Sequence, residues 1–205
     1  VTGPVGHVMT RSDLAAVPWV RVHRARSWTQ ATIHGVEWQG RRLVIKDFAD
    51  KGGLTRHTVG RLSLRREARA YERLRGLGGM PEVVGLIDGP ALVLEWLPIK
   101  RLPRAEEGVL APEFFDALDQ LLDAMHARGV AHGDLRRKNI ALGEDGLPRL
   151  IDFTTAALSP PGFGPLRRWL FRLQCRVDKI TALRIRISFV PDEPLTPGQK
   201  ALLAD

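Results

Sequence analysis

The sequence predicts an α+β protein with a strand-rich N-terminal part and a helical C-terminal part. Residues 1–98 hold five short apolar segments typical of strands and one helical pattern. Residues 99–205 hold longer patterns, with apolar residues three and four positions apart. We therefore predict two lobes, 1–98 and 99–205, in this chain of 205 residues.

Apolar spacing and turn residues predict the individual elements. The second and third strands are expected to form a hairpin around Gln39-Gly40. Helical spacing predicts one helix within residues 60–76 and another within 112–129, where a proline suits the start and a glycine the end. The strands are expected at residues 19–23, 31–38, 42–48, 83–87 and 91–96, and residues 98–112 are expected to form a linker.

Composition restricts the class of protein. The longest apolar run, residues 91–99, is far shorter than the roughly 20 residues that cross a bilayer. Residues 1–10 lack the apolar core of a signal peptide, and Cys175 is the only cysteine, so no disulfide can form within the chain. These features favour a cytoplasmic protein.

The net charge of +8 is concentrated near the C terminus. Residues 165–189 contain seven basic residues and one acid, Asp178. Apolar residues interleave with the bases, so an amphipathic helix could contact anionic lipid or a phosphorylated substrate. The interpretation that the pattern favours is simpler, namely a helix packed on the core with a solvated basic face.

The strongest chemical signal is the segment 132–139, His-Gly-Asp-Leu-Arg-Arg-Lys-Asn, followed later by Asp152-Phe153. Residues 140–142 and 149–151 can pair antiparallel, and we expect that pairing to place Asn139 directly across from Asp152. Their carboxamide and carboxylate oxygens suit a Mg²⁺ ion whose other ligands are waters and phosphate oxygens. Asp134 could orient an incoming hydroxyl group and accept its proton. Together these roles describe phosphoryl transfer.

These motifs resemble the signature of the protein-kinase-like superfamily, His-x-Asp-x-x-x-x-Asn followed by Asp-Phe-Gly or a variant of it. The resemblance implies a two-lobed protein-kinase-like fold with a minimal helical C-lobe, and it implies ATP and Mg²⁺. It makes Asp134 the catalytic base, Asn139 and Asp152 the metal ligands, and His132 a support of the loop. Thr154 stands where the motif usually has glycine. This difference argues against conformational switching of the activation segment that follows, more than it argues against metal binding.

Lys46 and Glu67 form a second group of candidates. Lys46 lies in the strand segment Leu-Val-Ile-Lys, which looks like the kinase strand whose lysine contacts the nucleotide phosphates. Glu67 interrupts the apolar face of the following helix, so it needs a buried partner, and an inward-pointing Lys46 supplies one. Glu72 lies well off that face. The pair matches the lysine–glutamate ion pair of kinases, and the alternative is an exposed Glu67 in a charged helix.

Two further segments are expected to contact the nucleotide. Residues 92–98 look like the strand that leads into the kinase hinge, where backbone groups of Glu95 and Leu97 would meet adenine. The sequence has no Gly-x-Gly-x-x-Gly, so backbone amides with Arg26, Ser27 and Thr29 are the groups that could cover the phosphates. Loss of those glycines is also what a non-catalytic kinase would show.

Arg136 and Asp178 each leave two interpretations open. Arg136 follows Asp134 by two residues, where many protein kinases have a lysine, so it either neutralises transition-state charge or is an ordinary solvated arginine. Asp178 either caps the catalytic loop or forms a surface ion pair. The six histidines lack the spacing of a metal site built from cysteine and histidine.

About 50 residues follow Asp152, so the expected C-lobe is small. This small C-lobe, with the His-Gly-Asp loop and Asp-Phe-Thr, resembles that of the bacterial branch that contains RIO-like kinases and lipopolysaccharide core (Kdo-type) kinases. We expect an ATP-dependent kinase whose acceptor is a protein serine or threonine, or an inner-core lipopolysaccharide sugar. No specific nucleic acid is expected as a partner, and peripheral contact with an anionic membrane is conceivable through the basic C-terminal segment. The alternatives are a pseudokinase that acts as a scaffold and a domain that binds phosphate or nucleic acid through the basic segment.

Overall fold

The structure is a computed structural model that describes residues 10–23, 31–49, 60–87, 91–108, 110–159 and 164–204. It confirms the predicted α+β class, with antiparallel sheets and, in the described part of the chain, five α-helices. The chain divides into two compact units. The first comprises Val1–Ala68 and Pro81–Trp96, and the second comprises Arg69–Met80 and Leu97–Asp205.

In the described part of the chain, the 3₁₀ turn Arg137–Asn139 lies directly before the strand Ile140–Gly143. The helices are α1 (Arg11–Ala16), α2 (Arg61–Leu74), α3 (Pro112–Ala127), α4 (Pro165–Phe189) and α5 (Pro197–Ala204). The strands are β1 (Trp19–His23), β2 (Thr32–Trp38), β3 (Arg41–Asp47), β4 (Val83–Ile87), β5 (Ala91–Glu95), β6 (Ile99–Arg101), β7 (Val130–Ala131), β8 (Ile140–Gly143), β9 (Pro148–Leu150) and β10 (Ala157–Leu158).

The first unit contains an antiparallel five-stranded sheet in the order β1-β2-β3-β5-β4. The predicted hairpin is confirmed, because Trp38 pairs with Arg41 and leaves a two-residue turn. Gln39 and Gly40 both have positive φ angles, 51° and 73°, which a type I′ hairpin turn requires. Residues of β2, β3, β4 and β5 form the buried cluster beneath this sheet: Val36, Leu43, Ile45, Ile87, Ala91 and Val93.

In the second unit, α3 buries one apolar face. The helix begins at Pro112 and is followed by Gly129 with a φ of 70°, as the sequence predicts. Its buried residues are Phe114, Phe115, Leu118, Leu122 and Met125. This face packs mainly against α4, β7 and β9, and it therefore supports the segments that carry the candidate site.

The strands β6, β8 and β9 form a three-stranded sheet, in which the predicted register is wrong by one residue. Ile140 pairs with Leu150, so Asn139 lies opposite Ile151 and not opposite Asp152. The reason is a shorter turn than expected. The Gly143 N–H donates to the carbonyl of Leu147 at 2.9 Å, and Gly146 has a φ of 78°, which closes a three-residue loop. Residues 99–101, predicted as part of a linker, form the strand β6 at the edge of this sheet.

The interpretation of α4 as a helix packed on the core is right for its second half only. Asp178, Ala182, Leu183 and Phe189 are buried. In the first half, residues 165–177, five large apolar side chains are exposed, and we call them the apolar stripe: Leu166, Trp169, Leu170, Leu173 and Val177. Within the described part of the chain, no helix combines the length and apolarity needed to span a membrane.

Candidate active site

The loop at residues 132–139 rests on a buried histidine. The backbone N–H of Asp134 donates to Nδ1 of His132 at 3.4 Å, so Nε2 is the protonated nitrogen and donates to the carbonyl of Ile151 at 3.0 Å. Burial lowers the pKa of His132, which keeps the ring neutral at physiological pH. The ring packs on Phe153 with 4.8 Å between centroids. His132 therefore holds the loop against the segment that contains Asp152.

Gly133 occupies a position that admits no side chain. Its φ is 80°, and a Cβ there would lie 2.3 Å from the carbonyl oxygen of Thr155. The chain just before Asp134 is thus in direct backbone contact with the chain just after Asp152. This glycine accounts for the His-Gly-Asp sequence of the loop.

Asp178 caps the loop from α4. Its side chain is fully buried, and its carboxylate accepts the backbone N–H of His132 at 2.7 Å and that of Gly133 at 3.3 Å. Nε2 of His126 lies 3.0 Å from the same carboxylate. Of the two interpretations that the sequence left open, the structure thus shows Asp178 as a cap of the loop and not as a member of a surface ion pair. A buried negative charge here is stabilised by several donors, and in return it fixes the backbone of the loop.

Asp134 and Arg136 form an ion pair at the surface of the loop. Nη2 of Arg136 donates to Oδ2 of Asp134. The side chain of Asp134 is 31% exposed and that of Arg136 is 55% exposed, so both groups are accessible to a substrate. This contact engages Oδ2 of Asp134 and leaves Oδ1 as the carboxylate oxygen that can accept a further hydrogen bond. This geometry allows Asp134 to accept a proton from a bound hydroxyl group.

Asn139 is buried, and hydrogen bonds of its side chain and of its backbone orient it. Its side-chain nitrogen donates to the carbonyl of Asp134 at 2.8 Å, and its backbone N–H donates to the carbonyl of Arg136 at 2.8 Å. Its own carbonyl accepts the N–H of Ile151 at 3.0 Å. Because the amide nitrogen is engaged, Oδ1 is the ligand atom that this side chain presents.

Asp152 lies directly after Ile151 and has an unusual backbone. Its φ of 70° is in the left-handed region, which costs a non-glycine residue about 1–2 kcal/mol. Its N–H donates to the Tyr71 hydroxyl at 3.2 Å, and the Thr154 hydroxyl donates to Oδ1 of Asp152 at 2.5 Å. These contacts hold the residue in its strained conformation. Tyr71 also packs edge-on against Phe153, with centroids 5.0 Å apart.

Sequence reasoning missed the roles of Tyr71 and Thr154. By its spacing, Tyr71 belongs to the apolar face that Glu67 interrupts, but this spacing does not reveal where the Tyr71 hydroxyl points. In the sequence, Thr154 stands out only because it replaces a glycine. A hydroxyl two residues after an aspartate is itself a signal, since such side chains commonly hydrogen-bond locally.

The donor atoms fit a magnesium ion. Among the described residues, no group of three His, Cys, Asp or Glu side chains could hold a metal. Asn139 and Asp152 instead offer one carboxamide oxygen and one carboxylate, linked through the Asn139–Ile151 hydrogen bond. Mg²⁺ prefers such hard oxygen donors, and it typically takes few ligands from the protein and the rest from waters and phosphates.

In the first unit, the structure brings Lys46 and Glu67 together. Nζ of Lys46 lies 2.6 Å from Oε1 of Glu67, and the two side chains are only 10% and 1% exposed. The rival candidate, Glu72, is 46% exposed and pairs with Arg75. Burial of both partners makes the pair costly to break, because either charge alone would remain desolvated.

Of the remaining candidates for nucleotide contact, the structure describes only Glu95 and Leu97. The Glu95 N–H donates to the carbonyl of Glu82 at 2.9 Å, and Leu97 follows β5 as a half-buried residue. Their contacts with adenine stay predictions. Arg26, Ser27 and Thr29 lie outside the described residues.

Comparison with known proteins points to phosphotransferases. A family model described as "Phosphotransferase enzyme family" matches residues 100–163, which contain Asp134, Asn139 and Asp152. CBL-interacting protein kinase 12 of Oryza sativa subsp. japonica is 32% identical over 135 residues, which are 60% of this chain and 23% of that protein. CBL-interacting protein kinase 4 of the same plant is 36% identical over 92 residues, 44% of this chain and 19% of that protein. The chain thus spans less than a quarter of the length of either kinase.

Proposed function

We propose that this chain is a kinase of the protein-kinase-like superfamily that transfers the γ-phosphate of ATP to a hydroxyl group. The observation that carries the proposal is the hydrogen bonding of Asn139. Its side chain bonds to the carbonyl of Asp134 at 2.8 Å and its carbonyl to the N–H of Ile151 at 3.0 Å, which ties the candidate base to the segment of the candidate metal ligand Asp152.

Asp134 acts as the base in this reaction. Its carboxylate accepts the proton of the acceptor hydroxyl while the hydroxyl oxygen forms a bond to the γ-phosphorus, and the bond from that phosphorus to the bridging oxygen of ADP breaks. The buried, neutral His132 and the buried Asp178 keep the loop in position without taking the proton themselves. The protein contributes mainly positioning, as phosphoryl transfer requires.

Oδ1 of Asn139 and the carboxylate of Asp152 would hold Mg²⁺. When bound, the ion withdraws negative charge from the phosphate oxygens and thereby favours attack on the phosphorus. Thr154 donates to one oxygen of Asp152 and limits rotation of its carboxylate. The conformation of this ligand is therefore fixed before any ion arrives.

Lys46 and Arg136 supply positive charge. Oε1 of Glu67 lies 2.6 Å from Nζ of Lys46, and we propose that Lys46, positioned by this ion pair, binds the nucleotide phosphates. Arg136 is expected to neutralise charge on the transferred phosphate from its place beside Asp134. We also propose that Arg26, Ser27 and Thr29 contact the phosphates. The backbone groups of Glu95 and Leu97 would contact adenine.

The acceptor is a protein serine or threonine, or an inner-core lipopolysaccharide sugar. Similarity to two protein kinases favours a protein, whereas the basic segment at residues 165–189 favours an anionic glycolipid. The RIO-like or Kdo-type branch and the cytoplasmic location stay predictions. A pseudokinase is disfavoured because the chain retains Lys46, Glu67, Asp134, Asn139 and Asp152 together.

The test is transfer of label from γ-labelled ATP with Mg²⁺ into separated protein and glycolipid fractions of a Gram-negative extract. Label in one fraction that Asp134→Asn abolishes supports the proposal and identifies the acceptor class. Asp119→Asn, a substitution at a surface ion pair, is the matched control and should leave transfer unchanged. If the protein binds ATP but neither fraction gains label, the pseudokinase is correct and the proposed transfer is wrong.

A further inference from the structure

The apolar stripe on the first half of α4 is exposed to an unusual degree. Leu166 is 67% exposed and Trp169 is 58% exposed, while Leu170, Leu173 and Val177 are between 45% and 49% exposed. At about 100° per residue, the five side chains fall within an arc of about 100° on one side of the helix. They therefore form one continuous surface and not five scattered residues.

This surface points away from the part of the protein that α4 packs against. In the second half of the helix, the buried residues span an arc of about 140° around the axis, and they are Asp178, Ala182, Leu183 and Phe189. The centre of the apolar stripe lies about 160° from the centre of this arc on the same helical wheel. The stripe is thus exposed because the core of its own unit occupies the other side of α4.

Positive charge accompanies the stripe. Residues 164–177 contain four arginines and no acidic residue. On the helical wheel, Arg167 lies beyond one edge of the stripe, and Arg172 and Arg176 lie beyond the other. An apolar arc bordered by arginines is the pattern of a helix that lies in the interface of an anionic membrane, with its apolar side chains among the acyl chains and its cations at the headgroup phosphates.

We propose that the first half of α4 docks this protein on an anionic lipid surface. A second copy of the chain fits the same surface poorly, because a two-fold symmetric contact would bring together the three arginines that border each copy of the stripe. A dissolved polyanion would engage the arginines but would leave the apolar stripe in water. This inference does not depend on the proposed phosphoryl transfer.

The test is binding of the full chain to vesicles by co-sedimentation. Vesicles of pure phosphatidylcholine are compared with vesicles that contain 30% phosphatidylglycerol, an amount chosen as roughly that of an anionic bilayer. We expect at least about tenfold stronger binding to the anionic vesicles. Leu170→Glu/Leu173→Glu should reduce this binding at least about tenfold, and Arg167→Gln/Arg172→Gln, which removes one arginine from each edge of the stripe, should reduce it about fivefold per arginine.

Two substitutions on α2 serve as matched controls. Leu62→Glu introduces the same apolar-to-acidic change at a residue that is 69% exposed, and Arg65→Gln/Arg69→Gln removes the same charge from another exposed helix face. Both should bind anionic vesicles like the unchanged protein, apart from a small effect of net charge. Circular dichroism of every variant shows whether the helices remain folded.

Three results would overturn the proposal. The first is equal binding to neutral and anionic vesicles, or no binding to either. The second is binding that requires the arginines but survives Leu170→Glu/Leu173→Glu, which would indicate a purely electrostatic polyanion site. The third is a dimer in sedimentation velocity that Leu170→Glu/Leu173→Glu converts to a monomer, which would show that a second copy covers the stripe.

Discussion

Replacing Asp178 by asparagine tests whether one buried carboxylate holds the candidate catalytic loop in place. The carboxylate accepts backbone N–H groups of His132 at 2.7 Å and of Gly133 at 3.3 Å, and it has no exposure to solvent. Asparagine retains one oxygen, which can keep the shorter bond. Its NH₂ group must then face the N–H of Gly133, so that two buried donors oppose each other.

The expected loss follows from these contacts. A hydrogen bond to a charged group contributes about 1.5–3 kcal/mol, and a buried donor without an acceptor costs about 1–3 kcal/mol. Loss of the Gly133 bond, together with the weaker neutral bond to His132, should lower the free energy of unfolding by about 3 kcal/mol. For a chain of this length, that corresponds to a decrease of about 6–12 °C in the melting temperature.

Urea denaturation and thermal melting, followed by circular dichroism, measure the effect. Asp119→Asn is the control, because that carboxylate is 59% exposed in its pair with Lys179 and its loss should cost less than about 1 kcal/mol. Equal losses for the two variants would refute the reasoning, since a buried cap and a surface ion pair would then be equivalent. Labelled transfer by the Asp178→Asn protein should also decrease, because the backbone beside Asp134 loses its support.

Three further substitutions have expected outcomes. Gly133→Ala would place a Cβ 2.3 Å from the carbonyl oxygen of Thr155 at a φ of 80°, so we expect a loss of at least about 2 kcal/mol in urea denaturation, and an unchanged midpoint would contradict that close approach. Lys46→Met leaves the carboxylate of Glu67 buried beside an apolar group and should lower the free energy of unfolding by about 3–5 kcal/mol. The double variant Lys46→Met/Glu67→Leu should recover most of this loss. A double variant as unstable as the single one would argue against the ion pair as the cause. Burial lowers the pKa of His132 in the folded chain, so the unfolded chain binds a proton more readily. The free energy of unfolding should therefore decrease as the pH falls below about 6.5, by up to about 1.4 kcal/mol per pH unit. His132→Phe should reduce this slope in denaturation curves between pH 7 and 5, and an unaltered slope would assign the titration to another group.

The sequence predicts contacts well where a pattern demands a partner. Glu67 interrupts an apolar helix face, and a carboxylate in that position needs a cation, which the structure supplies as Lys46 at 2.6 Å. The hairpin at Gln39-Gly40 was predictable because few residues other than glycine adopt positive φ angles easily. In both cases local chemistry strongly favours one arrangement over its alternatives.

Other features depend on geometry that sequence spacing does not encode. The register of β8 and β9 is set by the conformation of Gly146, and a change of one residue in the turn moves every pair, so Asn139 could not be placed from pairing rules alone. The strand β6 has only three residues and forms because β8 offers it an edge. The periodicity of α4 shows that the helix has an apolar side, but it does not show that the side near Leu170 faces solvent.

The close approach of Gly133 and Thr155 has a consequence for how such a protein could be controlled. After Asp152 the chain bends back, and β10 then pairs with β7, Ala157 with Ala131 and Leu158 with Val130. The segment is thus joined at both ends to the strand and loop that lead into Asp134. A regulatory mechanism that swings this segment outward would have to break the strand pairing and separate the two backbones. If the protein is the kinase that we propose, its activity is fixed when the chain folds, and control acts on the encounter with ATP, acceptor or lipid surface.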